Sequence, residues 1–325
     1  MTEQEKYRLL EIRSYLGVSA KPNEPVFERE VIAASRSKLK DVYGQPQGEN
    51  GESFVENLAS HLNITFEEVH DHSDVARLQD VYLKQHKEIA FGQLELELQG
   101  NNVDALLFRR QNDPGKYVAV LNLQDTSSRA YWNKSHEMTH RLIEPPQQPL
   151  FHRHRANLQD PVEHLVDVVA AEVAFYEPIF RPVVESYSRE YLTWDVVKRV
   201  RDSFAPSASL ISTARAIVRY WPYPVFLIQA AFRGRKGNPS KDQALRASLV
   251  DRNVLADKVG IFFYTNMRVP VTSPIAQTYT SGLDTTESEH LSTWVTSRGQ
   301  ALPRRNAITS AHSYRNDVLA LISPI

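Results

Sequence analysis

The sequence predicts an α+β fold: a mainly helical core with a small antiparallel sheet, then a helix-turn-helix-like segment and a small C-terminal strand-containing domain. Three observations carry this. Two short runs of strand type, Val103 to Arg109 and Tyr117 to Leu123, flank Asn112-Asp113-Pro114-Gly115, whose turn chemistry joins them as an antiparallel hairpin. Helical periodicity dominates on both sides of that hairpin. From about Pro239 onward Thr, Ser, Tyr, Val and proline replace the long periodic runs.

Residues 1 to 62 read as helix-rich, with amphipathic spacing in Val31, Ile32, Leu39 and Val42 and again in Phe54, Val55, Leu58 and Leu62. The stretch Gly44 to Gly51 between them has loop composition, which sets a boundary near residue 50. After the hairpin, Asp125, Thr126 and Ser127 offer N-cap oxygens for a helix that Pro145-Pro146 ends. A second helix opens at Asp160-Pro161, a capping residue followed by proline at the first helical position, and runs through VEHLVDVVAAEVAFY toward Pro178. Two shorter helices follow, from about Thr193 to Phe204 and, capped by Ser207, to Tyr220. The expected divisions are an N-terminal helical extension (1–50), a core (51–190), a helix-turn-helix-like segment (191–238) and a C-terminal domain (239–325).

The chain has 325 residues, ample for a large core, and its net charge of -1 creates no global field toward nucleic acid or an anionic membrane. The absence of cysteine removes disulfides, thiol nucleophiles and thiolate metal sites, so His and carboxylates are the strong ligands left. The charged N-terminus MTEQEKYRLLEIRSYL has no apolar signal region and no membrane-length apolar run follows, so the expectation is a cytoplasmic protein. Helical hairpins of this size are far commoner than DNA readers, so direct nucleic-acid binding through 191–238 is not the favoured reading. The basic stretch Arg233 to Lys241 lacks interleaved aromatics and reads as a solvated loop.

Chemistry concentrates in His136-Glu137-Met138-Thr139-His140, which matches H-E-x-x-H. The i, i+4 spacing puts both imidazoles on one helical face, able to hold one ion, and Glu137 then stands where a carboxylate can take a proton from metal-bound water. Such a match arises by chance in on the order of a few per cent of chains of this composition. The alternative is an exposed helix with two surface histidines. Glu163, in the first turn of the next helix, supplies a third ligand, although acidic residues are common there for the sake of the helix dipole. Asp167, four residues on, shares its face and can accept an N–H from a metal-bound histidine, or be a solvated aspartate. His164 is rotated about 100 degrees from Glu163 and ranks below it as a ligand. For an oxyanion donor the candidates are Tyr131 and, in the segment FHRHR, His154, with His152 beside it; for each a solvent-facing place is the favoured reading.

These residues resemble the ImmA/IrrE family of metallo-endopeptidases. The likeness adds to the five-residue motif a second helix in which Glu163, Asp167, Ala170, Ala171 and Pro178 match the family's Glu, Asn or Asp, alanine pair and proline, with Val166 at the position of its small residue. ENLASHLNITFEEV resembles the short helix and strand ahead of the family's core, and VAVLNL the strand that feeds its active helix. The resemblance implies a zincin-like core, Zn2+ as cofactor, and a protein substrate, typically a DNA-binding repressor of a stress or mobile-element response. Some members of the family carry a further C-terminal sensor-like domain, the place that 239–325 would take. The chain departs from the pattern at Thr139, where members carry glycine, and at Val166 and Val169. A β-branched residue at 139 is expected to crowd the approach of the second helix. The competing reading is a regulatory protein- or DNA-binding protein with a structural or vestigial zinc site.

Overall fold

Thr2 and Glu5 form a reciprocal capping box, so the first helix, α1 (Glu3–Leu16), starts at once and ends on Gly17 in the left-handed conformation. In the computed structural model the described residues are 2–325 without 45, 47, 101–102, 125–128, 146–149, 155–159, 235–241 and 297, with backbone alone at 99–100 and 150–154. They form two compact units, Met1–Phe180 with Ala205–Ser209 and Arg181–Phe204 with Leu210–Ile325, together a mixed α+β protein. No helix among the described residues is long and apolar enough to cross a membrane.

In the first unit, α2 (Phe27–Tyr43) and α3 (Gly51–His61) follow α1, the latter opened by an Asn50–Ser53 capping box. Then come β1 (Ile64–Val69), α4 (His72–Leu78), a π-helical turn Gln79–Gln85, a 3-10 turn Ile89–Gln93 and α5 (Leu94–Gly100). The expected hairpin is β2 (Val103–Arg109) and β3 (Tyr117–Asn122), closed by Lys116 N–H donating to the Asp113 carbonyl. The chain continues through α6 (Ala130–Ile143), β4 (Leu150–His154) and α7 (Pro161–Ala174), and α8 (Glu177–Ser186) begins in this unit and ends in the second.

The sheet order is β1-β3-β2-β4. β2 pairs antiparallel with β3 and β4, while β1 runs parallel to β3: α4 and α5 carry the chain from β1 to β2, and the hairpin then returns β3 between them. Alternation assigns the two faces. Leu106, Phe108, Val118 and Val120 pack with Val75, Leu78, Phe91 and Leu94 from the intervening helices. The opposite face carries Ala105 and Leu121, whose cluster includes Ala130 at the start of α6. Small residues there let α6 lie close to the strands, and Asn133 Nδ2 donates to the Asp104 carbonyl at 3.3 Å.

α1 and α2 pack on both α6 and α7, so residues 1–50 share a unit with the motif helices. Arg36 on α2 reaches Glu172 on α7 at 2.7 Å, and Phe54 stacks on Tyr176 with centroids 4.9 Å apart. Pro178 opens α8 where the sequence placed only an end; proline in a first helical turn removes an N–H that would have no intrahelical partner. Ser207 does not cap the later helix. Its N–H and hydroxyl both donate to Glu52, at 2.9 and 2.6 Å.

The second unit holds α9 (Trp194–Phe204), α10 (Leu210–Tyr220), β5 (Phe226–Arg233), β6 (Ala244–Arg252), α11 (Pro274–Ser281), β7 (Thr285–His290), β8 (Asn306–Tyr314) and β9 (Asp317–Pro324). Its sheet, in the order β6-β5-β9-β8-β7, is antiparallel throughout. The boundary expected at 238/239 lies outside the described residues. One face packs Phe226, Ile228, Phe263, Ile275 and Trp294 into a core. α9 docks on the sheet through Trp194, whose indole N–H is shared between the Ser310 and Leu319 carbonyls at 3.0 and 3.1 Å. α10 packs on β5 and β6, so both helices of the helix-turn-helix-like segment spend apolar surface on this sheet.

Candidate metal centre

Asp160 accepts from Val162 N–H at 2.8 Å and Pro161 presets the first turn, so α7 begins at a defined residue and Glu163 projects from that turn. α6 packs along α7, burying Met138 and Leu142 on one helix and Val162, Val166, Val169 and Ala170 on the other. Thr139 is fully buried and donates its hydroxyl to the Ser135 carbonyl at 2.8 Å, one turn back. That bond removes the hydroxyl's desolvation cost, and the β-branched residue does not keep Glu163 from the histidines.

The three expected ligands converge. Nε2 of His136 and Nε2 of His140 are 3.0 Å apart, and Oε2 of Glu163 lies 3.2 Å from the first and 3.6 Å from the second. Ligand atoms at about 2.0–2.2 Å from a tetrahedral ion stand about 3.3 Å from one another, so this N2O triangle has the size such an ion requires. Both imidazoles are buried, Glu163 is partly exposed, and the group can hold a metal ion.

Each imidazole is held from behind by a carboxylate. Asp167 Oδ1 is 2.9 Å from Nδ1 of His136, and Glu144 Oε1 is 2.7 Å from Nδ1 of His140. An ionised carboxylate can only accept, so Nδ1–H donates in both cases and Nε2 is left to face the triangle. Glu144 in turn accepts from Arg8 of α1, Nη2 to Oε1 at 3.1 Å and to Oε2 at 3.3 Å. Burial alone would lower the pKa of His140, but the charge of Glu163 and the hydrogen bonds to Glu144 and Glu163 hold it well above its ordinary value. Burial would raise that of Glu163, yet the His140 charge and the bonds from His136 and His140 hold it well below. The pair is a cation beside an anion, and an incoming divalent ion would take the place of a proton.

No family model matches this sequence, and no curated protein matches it. Among solved structures the chain is similar to a Mycobacterium tuberculosis transcriptional regulator, at a TM-score of 0.45 and 8% identity, covering 98% of this chain and 82% of that one. A likeness at that level assigns neither family nor activity.

Glu137 sits between the two histidines on α6 and is fully buried. Tyr131 is displaced from the role foreseen for it. Its hydroxyl donates to the Ala174 carbonyl at the end of α7, which commits its proton to joining the two helices and leaves none for an oxyanion. The backbone of His152 and His154 belongs to β4, paired with β2, and their side chains lie outside the described residues, as do the cap residues Asp125, Thr126 and Ser127 and the basic stretch from 235 to 241. His164 points away from the triangle and pairs with Glu28 at 3.4 Å. Two residues were missed from the sequence, Glu144 and Arg8. Glu144 follows His140 by four positions, the same helical spacing that identified the histidines, and could have been read.

Proposed function

We propose that this chain is a zinc-dependent endopeptidase in which His136, His140 and Glu163 hold the ion and Glu137 is the general base. The observation that carries the reading is the convergence of two imidazole nitrogens and one carboxylate oxygen on a helix that also bears Glu137. The His2Glu donor set without thiolate is one that zinc takes in catalytic sites. Zinc there supplies a Lewis acid that polarises a carbonyl and makes water acidic enough to react near neutral pH. The protein's own groups do the rest. Glu137 takes the proton from the attacking water and returns it to the leaving amine, Asp167 and Glu144 keep both imidazoles in the required tautomer, and the cap of α7 sets Glu163. The substrate lies extended along an edge of the four-stranded sheet, where main-chain pairing fixes its register. The ImmA/IrrE resemblance adds the substrate class, a DNA-binding repressor.

The full burial of Glu137 favours a second reading, a regulatory binding protein with a structural metal. One set of variants separates the two. Elemental analysis of the wild type gives about one zinc per chain, lost in His136→Ala and in Glu163→Ala while circular dichroism is unchanged. Glu137→Gln keeps the zinc and cleaves nothing in a proteome-derived peptide library that the wild type cuts. A Glu163→Ala protein that binds zinc as well as the wild type sinks the ligand set, and Glu137→Gln cleaving at the wild-type rate sinks the base.

A further inference from the structure

The guanidinium of Arg8 stands among three carboxylates of the candidate centre. Besides its two bonds to Glu144, Nη2 lies 3.8 Å from Oε1 of Glu163 and Nη1 lies 3.8 Å from Oδ2 of Asp160. We propose that Arg8 is a positioning residue of the metal centre, holding Glu163 to one-oxygen ligation and fixing Glu144 on His140. The N-terminal helix is thereby a working part of the site. This rests on the metal reading above.

The division of labour among oxygens is the main argument. Glu163 turns Oε2 to the two Nε2 atoms and Oε1 to Arg8. A carboxylate with both oxygens unengaged can close on an ion two-toothed and take the position that water needs; the cation beside Oε1 opposes that rotation. Asp160 is divided in the same way, Oδ1 capping α7 and Oδ2 facing Arg8, so the residue that places Glu163 in space is held by the same guanidinium. Glu144 is 5% exposed, and a cation beside so buried a carboxylate offsets the cost of keeping it ionised. Arg8 is always ionised, so it supplies that charge without competing as a ligand.

Arg8 has no other employment among the described residues. Its Nε is buried without a hydrogen-bond partner, so its hydrogen bonds go to the carboxylate behind His140. Arg13 on the same helix is different: it donates to the Ser19 and Ala20 carbonyls and so fastens the chain that follows α1, touching nothing at the centre.

The test compares full-length wild type, Arg8→Ala, Arg8→Lys and Arg13→Ala by zinc affinity, from competition with a chromophoric chelator, and by the visible spectrum of the cobalt-substituted proteins, which reports coordination number. Arg8→Ala is expected to lose about 10- to 100-fold in zinc affinity and to shift the cobalt bands toward the weaker absorption of a higher coordination number. Arg8→Lys recovers part of the affinity, since an ammonium restores charge but not the fork. Arg13→Ala matches the wild type in both. Should Arg8→Ala fail to fold, the neutral Arg8→Gln takes its place with the same expectations. Wild-type affinity and spectrum in the Arg8 variant overturn the role, as does an equal loss in Arg13→Ala, which would assign the effect to the docking of α1 at large. A wild type that takes up no metal overturns the metal reading and this role together, whereas the first two outcomes leave that reading standing.

Discussion

The buried carboxylates of the metal-centre helices in the first unit and Glu289 in the second are put to different uses. In the first, His136, Glu137 and His140 on α6 and Glu144 at its C-cap are all within a few per cent of complete burial, and Glu163, Asp167 and Arg8 close around them. In the second, the buried carboxylate Glu289 serves packing: it accepts from the Trp294 indole at 3.1 Å and from the Thr309 hydroxyl at 2.5 Å, both neutral donors. A lone buried carboxyl held by neutral donors is ordinary architecture. A cluster of ionisable groups on one helix is costly to bury and is retained where something binds to it.

Metal binding makes that difference most visible. An ion at 1,000 times its Kd stabilises the unit that holds it by about 4 kcal/mol, and the second unit gains nothing directly. Hydrogen exchange with and without zinc is expected to slow by about three orders of magnitude in α6 and α7 and to leave β5 to β9 unchanged. Equal protection of both units would remove the distinction.

The carboxylates behind the histidines sharpen the comparison within the site. Glu144 is 5% exposed and bonded to Arg8, whereas the Asp167 side chain is 41% exposed. Both support an imidazole, so Glu144→Gln and Asp167→Asn each weaken zinc by about 10- to 100-fold, with Glu144→Gln at the upper end because water cannot replace its charge. Zinc titrations that rank them in reverse would place the stronger support on His136.

The site also carries a pH signature. The folded pKa of His140 is raised above its ordinary 6.5, so its stabilisation is complete below 6.5 and fades as pH rises through the folded value. That of Glu163 is lowered from 4.5, so its contribution is complete above 4.5 and is lost as pH falls through the folded value. Metal-free protein is therefore most favoured by this pair between pH 4.5 and 6.5. Zinc must displace the His140 proton, so its apparent affinity rises up to about tenfold per pH unit until the raised pKa is passed. Calorimetry in buffers of different ionisation enthalpy checks this, and binding near pH 6.5 without proton release would refute it.

The legible parts of the site obey local rules. His136, His140, Glu163 and Asp167 follow from i, i+4 spacing and from Asp160-Pro161, which fixes where α7 starts and so which way Glu163 faces. The hairpin followed from its turn. Arg8 was not legible, because its place depends on how α1 docks on α6 and α7, 136 positions away from Glu144. The parallel pairing of β1 with β3 was hidden for the same reason, since nothing in either strand names its partner. Tyr131 misled because a phenol near a motif reads as a donor, whereas its proton belongs to a backbone carbonyl brought to it by another helix. Ser207 has capping chemistry, but Glu52 takes it.

The smallest effect is expected at Glu289, and it tests the comparison from the other side. Burial raises the pKa of this carboxyl, while bonds from Thr309, Trp294 and Ser273 lower it less. Its ionised form is thus the strained one, so its contribution to stability improves as pH falls through the raised value toward 4.5. Glu289→Gln keeps an acceptor oxygen for Trp294 and Thr309 and removes the charge. At pH 7 it changes unfolding free energy by about 1 kcal/mol or less, in the stabilising direction if the amide NH2 finds an acceptor. It also flattens the stability of the second unit between pH 7 and 4.5 and leaves zinc affinity as in the wild type. A loss of zinc in this variant would mean that the second unit feeds the metal centre, and the contrast between a working cluster and an architectural carboxyl would fall.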